Sequence, residues 1–448
     1  MTTSDEALSL ATRQIHAGYV PGTVQNTAVV PIYQSAAFEF ENFEAAKEIF
    51  ALRRTGNLYG RAGNPTAAVL EQRIADLDGG AGALATGSGQ SAVAVALLAL
   101  VRNGQHIVAS SSLYGGTVDL LTDTFPDFGI DVTLVDPLDP DAWQLAVRED
   151  TRAFFVESVS NPVASLPDLR VLAETAHANN IPLVVDNTVP TPVLLRPIEH
   201  GADVVVYSAT KFLGGHGTSL AGLIVDSGNF DFGARPERWA LYTQPYERFG
   251  GIVFNDAFTG ARTPFLTLAR ARVVHDLGPS LSPFNAFQIL QGLETLDLRI
   301  SRHTDSALQV ARFLDAHPAV TRVHHPGLPG HPQHGDAGRL FPDGIGSVFS
   351  FDLAAEPAHV GPFIDSLEIF RLVANIGDAR SLVIHPATTT HSRFTAGQFA
   401  AAGIGPTTIR LSIGLEAVGD LIADLRGALD AVAAFETSGT ARNPKEKA

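Results

Sequence analysis

Lys211 stands where a strongly apolar segment meets a glycine-rich one, in VVVYSATKFLGGHGT. An amine that leaves an apolar strand beside a phosphate pocket is desolvated enough to lose its proton and condense with an aldehyde. An ordinary exposed lysine explains the same position equally well when the segment is taken alone. The position of Lys211 therefore gains meaning only from the groups that accompany it.

Asp186 lies at the end of a second apolar run, PLVVDNT, and α/β sheets bind their ligands at the carboxyl ends of such strands. A carboxylate there can bind a protonated ring nitrogen. Enzymes that use pyridoxal 5'-phosphate (PLP) need such an acid, because the protonated ring takes up the electrons left by a substrate carbanion. A turn or helix cap is the structural alternative. The pairing with Lys211 favours the PLP interpretation.

A third segment, ATGSGQSAVAVALLALVRNG, reads as a strand, a glycine-rich turn and a helix. Gly87, Gly89 and Gln90 would let a phosphate sit at the helix N-terminus, and the hydroxyls of Ser208 and Thr210 could add donors. The same letters fit the G-x-G-x-x-A fingerprint of a nicotinamide-dependent oxidoreductase. The next apolar run, HIVASSSLY, argues against that alternative because it offers no acid for the ribose.

Two further side chains are candidates for contacts with a cofactor and a substrate. Tyr114, in SLYGGT, could lay its ring on the face of the cofactor, and a core aromatic is the alternative. Arg410, in TTIRLSIGLE, interrupts an apolar strand, where burial is costly unless the guanidinium meets an anion. A substrate carboxylate or an internal salt bridge would both explain it.

Short apolar runs recur between amphipathic stretches from about residue 81 to 226, which predicts a mainly parallel α/β sheet of seven strands. The runs are 82–86, 106–110, 132–136, 153–158, 182–187, 203–208 and 221–226. Because the candidate PLP residues lie among these runs, residues 63–290 are predicted to form a PLP-binding large domain. Residues 1–62 have no sustained period and are predicted to form an arm that contacts a neighbouring subunit. Residues 291–448 are predicted to form a smaller C-terminal α/β domain.

The composition favours small-molecule substrates as partners. The chain has 448 residues and a net charge of −16, which would repel nucleic acid and anionic membranes. It has no cysteine, so thiol chemistry and zinc–cysteine sites are excluded. The irregular histidines of HHPGLPGHPQHG do not predict a metal site. The N-terminus lacks the pattern of a signal peptide, and no apolar run is long enough to span a bilayer, so we expect a cytoplasmic protein.

Several motifs occur together in a fixed order, and this order is more specific than any one of them. They are Y-G-R (59–61), G-S-G (87–89), L-Y-G-G-T (113–117), E-S-V-S-N-P (157–162), V-V-D-N-T (184–188) and S-A-T-K (208–211). With these motifs the chain resembles the Cys/Met-metabolism PLP-dependent enzymes over about residues 10–435. The resemblance implies PLP fold type I, the fold of aspartate aminotransferase.

The resemblance also implies a role for each matching residue. It implies that Lys211 holds PLP as a Schiff base, that Tyr114 stacks on the ring and assists catalysis, and that Arg410 and Ser381 bind the substrate. The remaining implied cofactor contacts are Asp186, Asn161, Ser88, Gly89, Gln90, Thr188, Ser208 and Thr210, with Tyr59 and Arg61 from the neighbouring subunit. The implied assembly is a homotetramer of dimers with shared active sites.

Within the family, PYERFGGIVFNDAF, LSPFNAFQILQGLETL and ANIGDARSLVIHPATTTH resemble the O-acetylhomoserine sulfhydrylase branch. That branch implies γ-replacement, in which O-acetylhomoserine and sulfide give homocysteine and acetate in methionine biosynthesis. A γ-lyase or a cystathionine γ-synthase is the alternative, and γ-lyases usually carry a cysteine where this chain has Gly116. The sequence leaves open acetyl against succinyl, sulfide against other thiols, reaction with O-acetylserine, and dimer against tetramer.

Overall fold

The computed structural model describes residues 8–23 and 26–439. Residues 1–7 and 24–25 of the predicted arm, and 440–448 of the predicted C-terminal domain, lie outside the described residues. The chain divides into two compact units. The large unit comprises the chain up to Ser110 together with Asp119–Ser158 and Asp168–Asp297, and the small unit comprises Ser111–Val118, Val159–Pro167 and the chain from Leu298. Two short segments that carry Tyr114 and Asn161 therefore belong to the small unit.

The large unit contains a seven-stranded sheet in the order β1-β7-β6-β5-β4-β2-β3. Its strands are β1 (Gly82–Thr86), β2 (His106–Ser110), β3 (Asp131–Val135), β4 (Thr151–Glu157), β5 (Leu183–Asp186), β6 (Val204–Ser208) and β7 (Gly222–Asp226). Only β7 runs opposite to the other six strands, and it is antiparallel to both of its neighbours, β1 and β6. The prediction of a mainly parallel seven-stranded sheet is confirmed, strand by strand.

The central strands are largely apolar because both faces of the sheet are covered. All five residues of β2 and β7 are buried, and so are the first four of β6. Parallel sheets in α/β proteins have this continuous apolar pattern. Since β5 and β6 run in parallel with Asp186 paired to Val206, the polar residues that end these strands meet at the same edge of the sheet.

Helices occur in both units. Their bounds are α1 (Leu10–His16), α2 (Phe43–Phe50), α3 (Pro65–Asp78), α4 (Gly89–Leu100), α5 (Gly115–Asp119), α6 (Phe125–Asp127), α7 (Pro140–Ala146), α8 (Leu169–Ala178), α9 (Thr191–Leu194), α10 (Ala240–Thr243), α11 (Phe254–Phe258), α12 (Pro264–Leu268), α13 (His275–Leu277), α14 (Pro283–Leu293), α15 (Leu296–Asp315), α16 (His334–Leu340), α17 (Val360–Asp365), α18 (Ala396–Ala401) and α19 (Val418–Gly439). Over the described residues, none of these helices has the length and apolar character needed to span a bilayer.

The small unit has a second sheet of five strands in the order β10-β11-β12-β9-β8. The strands are β8 (Val320–His324), β9 (Val348–Leu353), β10 (Arg371–Leu372), β11 (Leu382–Ile384) and β12 (Thr408–Ser412). Apolar side chains of α15, α17 and α19 bury one face of this sheet in a common core. Arg410 lies in β12, which has a neighbour on each side.

Candidate active site

The start of α4 forms a close-packed cradle at the carboxyl edge of the large sheet. The hydroxyl of Ser88 accepts the amide of Ser91 at 3.1 Å and caps the helix, and no acidic side chain lies in the first turn. A Cβ on Gly89 would lie 2.5 Å from the Cβ of Ser208, and one on Gly222 would collide with the carbonyl of Ser88. The helix end thus approaches β6 and β7 as closely as glycine permits. Its positive dipole suits the phosphate of PLP.

A line of hydrogen bonds connects three of the predicted cofactor residues. The amide of Thr188 donates to Asp186 Oδ1 at 2.9 Å, and the amide of Ser208 donates to Thr188 Oγ1 at 2.8 Å. Thr188 therefore holds the end of β5 against the end of β6. Asp186 and the phosphate cradle are kept in register by this contact.

Asp186 is the residue of this line whose side chain ionises. Burial raises the pKa of its carboxyl to about 6, although hydrogen bonds from Thr188 act to lower it. A carboxyl disfavoured as an anion by burial is stabilised by a cation beside it. The protonated ring nitrogen of PLP is such a cation, so the residue fits the group that the sequence predicts.

Lys211 lies in the tight turn that follows β6. Its amide donates to the carbonyl of Ser208 at 3.0 Å, and its carbonyl accepts the amide of Gly215 at 2.7 Å. The side chain is half-buried. Lys47 is the other lysine in the described residues, and it is an exposed ion-pair partner of Glu44 at 3.1 Å. Among these two, the position of Lys211 is the one suited to a cofactor amine.

The hydroxyl of Thr210 is engaged within the protein. It accepts the amide of Ala221 at 3.0 Å and lies 3.3 Å from the carbonyl of the same residue. These bonds fasten the turn after β6 to the start of β7. The contact of Thr210 with the phosphate remains a prediction. In the structure, the hydroxyl of Thr210 joins the turn to β7.

We expect Gly89→Ala to weaken cofactor binding by about tenfold or more, because overpacked methyl groups cost roughly 1–3 kcal/mol in a close-packed site. The added methyl must push Ser208 away from the helix start. Equilibrium binding of PLP, followed by its visible absorbance, measures the effect. Gly427→Ala is the matched control, since a Cβ at that position meets nothing within 4 Å. Equal affinities in the two variants would contradict the cradle.

Arg410 is buried in the small unit with part of its guanidinium unpaired. One amino group donates to Asn161 Oδ1 at 3.3 Å and the other to the carbonyl of Asn375 at 2.9 Å. Within the described residues its Nε has no hydrogen-bond partner. Burial lowers the pKa of Arg410 to about 10, while its interaction with Tyr114 acts in the opposite direction. Of the two explanations that the sequence left open, this geometry favours an incoming carboxylate.

Asn161 is held close to Arg410 by the same sheet. Ser350, which pairs with Arg410 across β9 and β12, donates its hydroxyl to the carbonyl of Pro162 at 2.7 Å. The loop that carries Asn161 is thereby fixed to the strand beside Arg410. The structure brings these two predicted residues into direct contact.

Tyr114 immediately precedes the short helix α5, and the residue is 44% exposed. The ring folds over Gly116, where a Cβ would lie 2.7 Å from the ring atom Cε1. A larger residue at position 116 would therefore displace the ring. The departure from the γ-lyase pattern noted in the sequence thus has a structural consequence for Tyr114.

Ser381 is fully buried, and its polar groups all bond within the small unit. Its hydroxyl donates to Glu416 at 2.8 Å and accepts the amide of Gly414 at 2.8 Å. Its amide donates to Glu416 at 2.7 Å, and its carbonyl accepts the amide of Arg371 at 3.0 Å. The predicted contact of Ser381 with substrate remains a prediction, and Glu416 was not anticipated.

Tyr59 and Arg61 lie together in the large unit. The guanidinium of Arg61 lies 5.1 Å from the centre of the Tyr59 ring, an arrangement that favours a cation–π contact. The Nε of Arg61 is buried without a hydrogen-bond partner among the described residues, and Tyr59 is 43% exposed. Both side chains retain capacity for an anion, as the sequence-based prediction requires.

A buried network behind Asp186 was missed by the sequence analysis. Tyr207 donates its hydroxyl to the carboxylate of Asp78 at 2.7 and 2.8 Å and accepts the side-chain amide of Asn187 at 3.0 Å. Asn187 in turn accepts the hydroxyl of Ser158 at 2.7 Å. A tyrosine inside an apolar strand needs a hydroxyl partner, and this was the available signal. The network fixes the residue next to Asp186.

Comparisons with known proteins identify the family of this chain. The family described as Cys/Met metabolism PLP-dependent enzyme matches residues 11–430. An O-acetyl-L-homoserine sulfhydrylase of Leptospira meyeri is 45% identical, covering 93% of this chain and 95% of that protein. One of Corynebacterium glutamicum is 43% identical, covering 94% and 97% respectively. The family expected from the motifs is confirmed.

A solved structure supports the fold and the cofactor. It is an O-acetylhomoserine (thiol)-lyase of Campylobacter jejuni that carries N'-pyridoxyl-lysine-5'-monophosphate. It superimposes with a TM-score of 0.90 at 37% identity, covering 94% of this chain and 100% of the other. The predictions of PLP fold type I and of PLP as cofactor are confirmed.

Proposed function

The chain belongs to the Cys/Met metabolism PLP-dependent enzymes, and from that premise we propose that it catalyses γ-replacement on O-acetylhomoserine. Sulfide displaces acetate at the γ-carbon, and homocysteine is formed for methionine biosynthesis. The observation that carries the choice of reaction is the identity of 45% and 43% to two O-acetyl-L-homoserine sulfhydrylases over more than nine tenths of the chain. Membership of the family also removes the nicotinamide-dependent oxidoreductase as an alternative.

The residues of the large unit would hold the cofactor and move the proton. When bound, PLP supplies an electron sink for the negative charge that develops on the substrate. We assign Asp186 to the ring nitrogen, where its carboxylate keeps a proton in place. Ser88, Gly89 and Ser208 would bind the phosphate through the helix start and a hydroxyl. Lys211 would carry the cofactor and then take the proton from the α-carbon of the substrate.

The residues of the small unit would orient the substrate. Arg410 has an unpaired Nε and a fixed guanidinium, which suits a carboxylate bound through charge-assisted hydrogen bonds. Tyr114 would assist proton transfer at the β-carbon before acetate departs. Asn161, which accepts from Arg410, would keep the guanidinium in place while it binds the carboxylate.

We also propose that Tyr59 and Arg61 complete the active site of a second copy of the chain, in a homotetramer of dimers. The Nε of Arg61 has no hydrogen-bond partner in the described residues, which supports a role in binding an anion at the site of the second copy. A 1:1 mixture of Arg61→Ala and Lys211→Ala proteins, unfolded and refolded together, should regain about a quarter of wild-type activity. Random pairing makes half of the dimers mixed, and one of the two sites in each mixed dimer has both residues intact. No regain, with dimers present by light scattering, would contradict shared sites.

The reaction is tested by incubating the purified holoenzyme with O-acetylhomoserine, with and without sulfide. Homocysteine and acetate in equal amounts, formed only with sulfide, support the proposal. Formation of 2-oxobutyrate at the full rate without sulfide would assign the protein to the γ-lyases instead. Cystathionine formed from cysteine faster than homocysteine from sulfide would assign it to the cystathionine γ-synthases. O-Succinylhomoserine in the same assay tests the acyl group.

A further inference from the structure

Glu416 stands at a junction in the small unit that the family motifs do not mark. It follows β12 by four residues and precedes α19, and it is half-buried. Both of its carboxylate oxygens are used by one residue, since Oε1 accepts the amide of Ser381 at 2.7 Å and Oε2 accepts the hydroxyl at 2.8 Å. A carboxylate that accepts two hydrogen bonds from a single buried residue fixes both its backbone and its side chain.

These bonds are part of a seam between the end of β12 and the loop of residues 375–381. The amide of Gly377 donates to the hydroxyl of Ser412 at 3.0 Å, and the amide of Leu415 donates to the carbonyl of Ala379 at 2.9 Å. The amide of Gly414 donates to the hydroxyl of Ser381 at 2.8 Å. The loop is therefore held at three successive points, and Glu416 supplies the only carboxylate among these contacts.

The far end of the loop contacts Arg410. The carbonyl of Asn375 accepts an amino group of Arg410 at 2.9 Å, the shorter of the two hydrogen bonds that orient the guanidinium. Moving the loop would therefore move the acceptor that fixes Arg410. The Nε of Arg410 has no hydrogen-bond partner in the described residues. The orientation of the guanidinium therefore depends on its two acceptors, Asn161 Oδ1 and the carbonyl of Asn375.

Gly414 provides an independent sign that the position of the carboxylate is specific. A Cβ at Gly414 would collide with Glu416 Oε2 and would lie 2.5 Å from the carbonyl of Ala379. The glycine is not in the left-handed region, so its backbone conformation does not require glycine. The missing side chain is explained by the close approach of both the Glu416 carboxylate and the backbone of Ala379 and Arg380.

We propose that Glu416 is a positioning residue for the reaction: through Ser381 it fixes the 375–381 loop and so orients Arg410 toward the substrate carboxylate. The hydroxyl of Ser381 accordingly serves Glu416 in this arrangement, and Ser381 acts on the substrate through the loop. This inference rests on the proposed function, in which Arg410 binds that carboxylate. In this arrangement Glu416 would act on the substrate only through Ser381 and the loop.

The first test compares Glu416→Ala, Glu416→Gln and wild type as holoenzymes. We expect Glu416→Ala to raise KM for O-acetylhomoserine by about 10- to 100-fold, because a charge-assisted contact contributes roughly 1.5–3 kcal/mol. KM for sulfide and the absorbance of bound PLP should stay unchanged. Glutamine, which can still accept the amide of Ser381, should restore KM to within about threefold. An unchanged KM in Glu416→Ala would overturn the proposal.

A second test needs no turnover and so separates this proposal from the proposed function. L-Norvaline and butylamine differ only by a carboxylate, and their binding is followed by the change in visible absorbance of the holoenzyme. Glu416→Ala and Gly414→Ala should weaken norvaline by about tenfold or more and leave butylamine within about twofold. Gly419→Ala is the control, because a Cβ there meets nothing within 4 Å. Equal weakening of both ligands would overturn the inference even if the enzyme makes homocysteine.

Discussion

Lys211→Ala should lower kcat by about 10⁴-fold or more, the largest effect of any single substitution in this chain. The variant loses the amine that we propose carries the cofactor and moves the α-proton, and a positioned general acid or base alone contributes roughly 10²–10⁴-fold. PLP should still bind through the cradle at α4, but more weakly. Homocysteine formation under saturating substrate measures the loss.

Lys47→Ala is the matched control for this substitution. Lys47 lies on the surface in an exposed ion pair with Glu44, and such pairs contribute little. Its removal should leave kcat within about twofold of wild type. If Lys211→Ala retained a tenth of the wild-type kcat, Lys211 would not be the cofactor lysine.

Asp186→Asn should lower kcat by about 10²- to 10⁴-fold with little change in the fold. In the wild-type protein the amide of Thr188 donates to Asp186 Oδ1 at 2.9 Å. The side-chain oxygen of asparagine can accept the same hydrogen bond, so the end of β5 keeps its contact. The neutral side chain cannot hold a proton on the ring nitrogen, and the electron sink is weakened. Single-turnover loss of the α-proton, measured with deuterated substrate, reports this step directly.

The same variant should also change how PLP affinity depends on pH. Burial raises the pKa of Asp186 to about 6 in the folded protein, so the carboxylate becomes available as pH rises through 6. The affinity of the wild-type protein for PLP should therefore rise more across that range than the affinity of the variant. Ionisation of the cofactor phosphate affects both proteins equally, so the difference between the two profiles reports Asp186. Parallel pH profiles would contradict the assignment of Asp186 to the ring nitrogen.

Asp226→Asn is the control for both measurements. Asp226 is a buried aspartate of the same sheet, and burial raises its pKa to about 7. It pairs with Val204 at the start of β6, the edge opposite Asp186. Its oxygen accepts the amide of Gly228 at 2.8 Å, a bond that asparagine can keep. We expect kcat and the pH profile of PLP binding to remain those of wild type.

The large sheet was predictable because its strands contain short continuous apolar runs. Val204–Val206 of β6 and Leu183–Val185 of β5 read as strands from sequence alone, since both faces of the sheet are covered. The edge that carries Asp186 and Lys211 followed from the direction of parallel strands. The helix over Pro65–Asp78 has local signals at both ends, the Asn64 cap and the left-handed Gly79.

The partners of hydroxyl groups were not predictable in the same way. Thr210 and Ser381 were assigned to ligands from their motifs, but the structure engages their hydroxyls with Ala221 and Glu416. These bonds join residues 11 and 35 positions apart, and no local pattern records such contacts. The division that places Tyr114 and Asn161 in the small unit is likewise a property of packing.

The most direct measurement is to reduce the PLP-loaded protein with borohydride, digest it and locate the pyridoxyl group by mass spectrometry. The chain has lysines at positions 47, 211, 445 and 447, so each possible site falls in a distinguishable peptide. The account predicts one pyridoxyl group per chain, on Lys211, and a lower yield of it when reduction takes place during turnover with saturating O-acetylhomoserine and sulfide. A pyridoxyl group on another lysine, or none on Lys211 in the loaded protein, would contradict it.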